Sequence, residues 1–247
     1  MAGVWEREFY QPEGGDAFLS FVVFGELQAD MEVSAKTYRT SGPPDGTDME
    51  LYSRAEHGEW IDGYTEGYFG ALLAEDPALE AAVKAAPTVA VLQGEIEDPE
   101  TLDYLRDAVG VVTALLDAGG VAVFDLLALR WFSPEEWKEV VFDPAAPEPI
   151  EHVLLLASQE EDGFWLHSRG LRKFGRPDLS ARGLASEDDL EVFAGLFESL
   201  IVTLAGGATI PEGQRIRIGG TKVERTVNLV GDFEDPDFNN VHYELTP

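Results

Sequence analysis

His167 and Asp178 fall within the run His167-Ser-Arg-Gly-Leu-Arg-Lys-Phe-Gly-Arg-Pro-Asp-Leu179, which sets an imidazole, a carboxylate and four cations within thirteen residues. An imidazole beside a carboxylate is a minimal acid–base couple, and the guanidinium forks of Arg169, Arg172 and Arg176, with the ammonium of Lys173, suit a phosphate or carboxylate. The chemistry on offer is the binding of an anionic small molecule or proton transfer on it. In so acidic a chain the same arginines also serve economically as internal salt-bridge partners. That use ranks first, ligand or partner binding second and catalysis third. The candidate ligand- or partner-binding residues are therefore His167, Arg169, Arg172, Lys173, Arg176 and Asp178, and no residue is assigned as catalytic.

Other chemistry is scarcer. Of the histidines at 57, 152, 167 and 242, none stands in H-E-x-x-H or another paired metal spacing, so no metal and no cofactor is expected. The spacing Asp235-x-Asp237-x-Asn239 matches the first three ligands of a calcium loop, but Asn240 replaces the turn glycine and Thr246 replaces the bidentate glutamate. A turn built on Asx hydrogen bonds fits better. There is no G-x-S-x-G, Walker A or G-x-G-x-x-G sequence, and the absence of cysteine excludes thiolate nucleophiles, Fe–S clusters and disulfide scaffolds.

Charge narrows the partners. The 47 acidic and 17 basic residues give a formal net charge of -30. Residues 1–150 carry 30 acids and 8 bases and residues 151–247 carry 17 and 9, so the first part is the more negative. Such a surface repels phosphate backbones and anionic lipids, which disfavours nucleic-acid and membrane binding; the acidity itself fits a generic solubility surface first, and otherwise adaptation to high salt or a complement to a basic partner. The start of the chain, Met1-Ala-Gly-Val-Trp-Glu-Arg-Glu-Phe9, lacks the cationic and apolar regions of a leader, and no apolar run approaches bilayer length. A soluble cytoplasmic location is expected.

The elements that must position these groups alternate between strand and helix. Phe18–Phe24 reads as a strand buried on both faces, with similar runs at Val89–Leu92, Val121–Phe124 and Val153–Ala157. Asp98-Pro99 opens a helix whose Leu102, Leu105, Val109, Val112 and Leu116 share a face up to Gly119-Gly120. Ser133-Pro-Glu-Glu136 is a capping box ahead of Trp137 and Val141, and Ser186 caps a helix carrying Leu190, Phe193, Phe197, Leu200 or Ile201, and Leu204. Trp60, Ile61, Tyr64, Tyr68 and Leu72 form a helical aromatic stripe expected in the core.

From Arg215 the period changes to two, through Arg215–Ile218, Val223–Leu229 and Val241–Leu245, predicting a C-terminal antiparallel meander. The fold class is therefore α+β, a mixed β-sheet covered by helices with that meander at the end. A single domain over 1–247 is expected, with two lobes split near 143–149 as the alternative. Leu115–Val121 and Val202–Ala208 echo each other, as a repeat or, preferably, as two Gly-Gly helix stops.

The central block, with Trp131-Phe-Ser-Pro-Glu-Glu-Trp137 before it and Pro236-Asp-Phe-Asn-Asn-Val-His242 after it, resembles a bacterial domain family of unknown function, over about residues 88–245. The resemblance implies no activity. It implies that the block is a hallmark of the family.

Functionally the chain reads first as a non-enzymatic acidic binding protein of the immunity type engaging a basic protein, and second as an enzyme or ligand-binding domain holding a phosphate- or carboxylate-bearing molecule through the block. Its oligomeric state is left open. Replacing Arg172 or Arg176 by Ala is expected to cost roughly 1–3 kcal/mol if the cations serve the fold.

Overall fold

The computed structural model describes residues 3–28, 33–218 and 223–247, so the first two residues of the N-terminal stretch lie outside the described residues. Helix and strand make up 35% and 30% of the chain, in two separate sheets, which is the α+β class expected. Contacts group the chain into two compact units: Met1–Trp5, Phe18–Glu97 and Thr101–Pro147 in the first, and Glu6–Ala17, Asp98–Glu100 and Glu148–Pro247 in the second. The last boundary, Pro147 to Glu148, lies inside the Pro-rich segment 143–149.

The first unit contains β1 (Ala17–Gly25), α1 (Ala35–Tyr38), β2 (Thr47–Ser53), α2 (Arg54–Asp62), α3 (Gly67–Leu73), α4 (Pro77–Ala85), β3 (Thr88–Ile96), α5 (Asp103–Asp117), β4 (Gly120–Asp125), β5 (Arg130–Phe132) and α6 (Pro134–Trp137). Its sheet order is β2-β3-β1-β4-β5. β1 is central, and Leu19 to Phe24 are all buried, which is why the strand reads as a nearly unbroken apolar run. Helices α4 and α5 pack on β4, and α5 buries Leu105, Val109, Val112 and Leu116 as their spacing predicts.

Three local expectations change. Asp98 does not cap α5, which begins at Asp103 behind Leu102; the Asp98 carboxylate instead accepts from the Glu13 amide (2.6 Å) and the Tyr10 hydroxyl (3.3 Å). The 133–136 capping box is half formed: Ser133 Oγ accepts from the Glu136 amide (3.1 Å), while the Glu136 carboxylate pairs with Arg130 (3.0 Å). The aromatic stripe is not one helix, because a 3₁₀ turn at Gly63–Thr65 separates α2 from α3 and breaks the shared face. Ile61 is buried, but Trp60 and Tyr68 are 45% and 56% exposed.

The second unit contains α7 (Pro149–His152), β6 (Leu154–Glu160), β7 (Gly163–Arg169), β8 (Asp178–Leu184), α8 (Glu187–Ala205), β9 (Arg215–Arg217), β10 (Glu224–Val230) and β11 (His242–Thr246). Its sheet order is β6-β7-β8-β11-β10-β9. The expected meander is present as β9, β10 and β11, and it joins the preceding strands through one parallel pair, β8 with β11, which makes the sheet mixed. β6 departs from the expectation of a strand buried on both faces. It is the outermost strand, so Leu154, Leu155 and Leu156 are only half-buried.

Ser186 Oγ caps α8 by accepting from the Asp189 amide (3.2 Å), and Phe193, Phe197, Ile201 and Leu204 are buried where the helix packs on β7 and β8. The echoing Gly-Gly pairs are two separate helix stops. The residue with positive φ is the first of one pair, Gly119 (119°), and the second of the other, Gly207 (100°). No described helix is long and apolar enough to cross a membrane.

Candidate functional site

The block is a hairpin connection. β7 and β8 pair antiparallel with His167 opposite Ser180, and a 3₁₀ turn at Leu171–Phe174 joins them between two glycines of positive φ, Gly170 (120°) and Gly175 (62°). His167, Arg169, Lys173, Arg176 and Asp178 are all buried, so the cations do not form an outward-facing island.

Asp178 is fully buried at the start of β8. One of its oxygens accepts from Ser168 Oγ (2.7 Å) and the Leu171 amide (3.2 Å), and the other accepts from Asn240 Nδ2 (2.8 Å). Asn240 also donates to the Arg176 carbonyl (3.0 Å), and Ser168 Oγ accepts from the Leu179 amide (2.9 Å). This network ties the turn to the segment just before β11 that carries Asn240. Burial raises the Asp178 carboxyl to about 6, opposed by the bonds from Asn240, Ser168 and Leu171 and by the charge of Arg169.

His167 is not its partner. The imidazole stacks on Trp165 (centroids 3.9 Å apart, 18° between planes) and meets Phe238 edge to face (5.5 Å), and Phe238 stacks in turn on His242 (3.9 Å). Nδ1 of His167 and of His242 are both buried without a hydrogen-bond partner. Burial, with the nearby charge of Arg169, lowers the His167 imidazole to about 4, and burial lowers His242 as well. The acid–base couple of His167 and Asp178 is therefore not assembled: one ring sits in an aromatic stack, and the carboxylate's bonds go to Ser168, Leu171 and Asn240.

The arginines bind main-chain oxygens. Arg169 donates to the Asp237 carbonyl, and Arg172 donates to the Asn239 carbonyl (2.9 Å) while its guanidinium lies 4.5 Å from the centre of the Phe233 ring. Arg176 donates to the carbonyls of Ala208 (3.0 Å), Gly175 (2.7 Å), Gly207 (2.7 Å) and Gln11 (3.3 Å) and stands 3.7 Å from Asp98. A guanidinium's five donors in a fixed fork suit this gathering of loop carbonyls, one of which, Gly207, also accepts from the Gln11 amide (3.0 Å). Lys173 is fully buried in the turn.

A cavity of about 410 Å³ borders the block, with Arg172, Gly175, Arg176, Asn240, Glu13 and Asp16 in its wall. His167 does not line it. The 232–241 segment holds Asx turns, the Glu234 amide bonding Asp232 (2.8 Å) and the Asp237 amide bonding Asp235 (2.9 Å), and no group of three His, Asp or Glu among the described residues is placed to hold a metal ion.

Several participants escape the sequence. Arg7 is buried and donates to the carbonyls of Phe174 (2.7 Å) and Pro99 (2.8 Å). Ser168 and Asn240 complete the Asp178 network, and Trp165 and Phe238 complete the imidazole stack. Nothing local marks Arg7, more than 150 residues from the block. Asn240 and Phe238 lie in the 236–242 segment that the resemblance had already picked out.

The His167 environment gives a testable pH dependence. The folded imidazole is held near 4 against an ordinary 6.5, so the unfolded chain takes up its proton first. The contribution of His167 is complete above about pH 6.5 and is lost as pH falls toward 4, by roughly 2–3 kcal/mol. His167→Phe, which keeps a ring against Trp165, should make urea stability less sensitive to acid over that range. An unchanged profile would show that the ring titrates freely.

Comparison with protein-family models, with curated proteins and with solved structures finds no match.

Proposed function

We propose that this is a non-enzymatic, acidic binding protein that engages a basic protein partner, as a toxin-neutralising immunity protein does, in a cytoplasmic setting. The observation that carries this reading is the charge imbalance: 47 acids against 17 cations leave a net charge of -30, and the buried Arg169 and Arg176 of the block are taken up by main-chain carbonyls rather than presented at the surface. Such a field accelerates the approach of a cationic partner and makes association strongly salt-dependent. The test is affinity capture from the native host at low and high salt. A basic protein retained at low salt and released at high salt is expected, and recovery of no basic protein at either salt rejects the reading.

The same excess charge predicts a melting temperature that rises from near-zero to moderate NaCl, because carboxylate repulsion is screened over a Debye length of about 8 Å at physiological ionic strength. A melting temperature that falls with salt would mean that attraction between the acids and the seventeen cations dominates.

The alternative, a phosphate- or carboxylate-bearing ligand, has the cavity beside Arg172 and Arg176 in its favour. Glu13 and Asp16 share that wall and oppose an anion, and both arginines are engaged with carbonyls. Stabilisation by inorganic phosphate that saturates and disappears in Arg172→Ala would favour it over the partner reading.

A further inference from the structure

We infer that the outer edge of β2 is the docking strand for an extended basic segment of the partner, one whose side chains alternate between cationic and apolar; this rests on the proposed reading of a basic protein partner. β2 ends its sheet among the described residues, with β3 on one side only. In an antiparallel ladder alternate residues turn their N–H and C=O groups away from the neighbour, so the free side of β2 is a template for one more strand.

Alternation sorts its side chains into two rows. Asp48, Glu50 and Tyr52 share one face, where the Tyr52 hydroxyl donates to the Glu50 carboxylate, and Met49 and Leu51 share the other, each 39% exposed. An added strand with Arg or Lys opposite Asp48 and Glu50 would form cross-strand ion pairs on the first face and bury apolar groups against Met49 and Leu51 on the second.

The aromatic residues extend the first row. The Tyr52 ring lies 4.8 Å from that of Trp60, Trp60 lies 5.3 Å from Tyr64, and Tyr64 meets the buried Phe24 (6.0 Å) and Phe124 (6.3 Å). An exposed indole anchored through the core is a rigid platform for a guanidinium. Between residues 45 and 66 there are seven acids and one cation, and that cation, Arg54, is bound to Asp62 and to the carbonyls of Ala86 (2.8 Å) and Val83 (3.2 Å).

The same charges argue against a second copy of this chain, since β2 paired with itself would bring Asp48 and Glu50 against each other. The other sheet ends fit a basic strand less well. β5 is three residues long with Trp131 and Phe132 buried, β9 carries Arg215 and Arg217, and the one acid of β6, Glu160, is held by both oxygens to Arg182.

The test titrates the full chain at low salt with two synthetic peptides of the same composition, one alternating arginine and valine, the other with the arginines and valines in two blocks. The alternating peptide should bind about tenfold or more tightly and slow amide hydrogen exchange at Met49–Tyr52. Asp48→Lys/Glu50→Lys should abolish that preference, whereas Glu191→Lys/Glu198→Lys, the same charge change on α8, should keep it. Equal affinity for both peptides, or alternating-peptide binding that survives the β2 reversal with no protection in β2, would overturn the edge site while leaving a basic partner in place. No salt-dependent binding of either peptide, together with no basic protein captured from the host, would remove both.

Discussion

Arg176→Ala should unfold this protein at markedly lower denaturant, with a loss on the order of 3–5 kcal/mol. That exceeds the 1–3 kcal/mol expected when Arg176 is treated as one member of a counter-charge cluster. The guanidinium gathers four carbonyls from three separated stretches of chain, Gln11, Gly175 and Gly207–Ala208, and faces Asp98 at 3.7 Å. Truncation takes a donor from all four carbonyls, leaving Gly207 with the Gln11 amide (3.0 Å), and leaves a void. Arg176→Lys should restore little, because an ammonium is a single point and cannot reach carbonyls spread around a planar fork.

A Cβ at Gly14 would collide with the Arg176 guanidinium, so Gly14→Ala should reproduce part of the loss by displacing the fork. Arg172→Ala should cost less than Arg176→Ala, since its bond to the Asn239 carbonyl is exposed whereas Arg176 is fully buried. Denaturation midpoints for the four variants would settle the order. Arg176→Ala within error of the parent would show that the carbonyls find water or other donors.

Asp178 should separate into a packing effect and a pH effect. Asp178→Ala leaves the Ser168 hydroxyl, the Leu171 amide and the Asn240 amide without their acceptor and should cost about 3 kcal/mol or more. Asp178→Asn keeps an oxygen for Ser168 and Leu171 but turns an NH2 toward the Asn240 NH2, and should cost less than Asp178→Ala, about 1–2 kcal/mol at neutral pH.

The pH effect has a definite sign. Burial raises the folded carboxyl to about 6 against an ordinary 3.8, so the folded state takes up this proton first. Its stabilising contribution is complete below about pH 3.8 and is lost as pH rises through about 6, a span of roughly 3 kcal/mol. His167 runs the other way, losing stability between about pH 6.5 and 4. The two nearly offset one another in the parent, so mild acid brings little net gain from this site. Asp178→Asn removes one side and should make the protein distinctly more acid-labile, and His167→Phe added to it should flatten the curve again. Parallel pH profiles for the parent and Asp178→Asn would show that the buried carboxyl does not titrate in this range.

Elements whose causes are local can be read from the residues alone. The apolar run at 18–24 reads as a strand buried on both faces, the 4-3-4 spacing from Leu105 to Leu116 placed one face of α5, and Ser133 and Ser186 capped the helices after them. It also marked residues 167–179 as exceptional, because four cations within thirteen residues stand out against 47 acids.

What those cations do was decided by tertiary structure alone. Arg176 meets carbonyls 165 and 31 residues away, and Asp178 meets Asn240 across 62. Such oxygens belong to the main chain, which every residue carries alike, so no side-chain pattern announces them. Charge counting anticipates carboxylate partners such as Asp98 beside Arg176, but gives no sign that loop carbonyls take the same guanidinium's donors. The aromatic stripe failed for a related reason. Spacing predicts a face only while a helix continues, and the turn at Gly63–Thr65 redirected Trp60 and Tyr68 from the core to the surface.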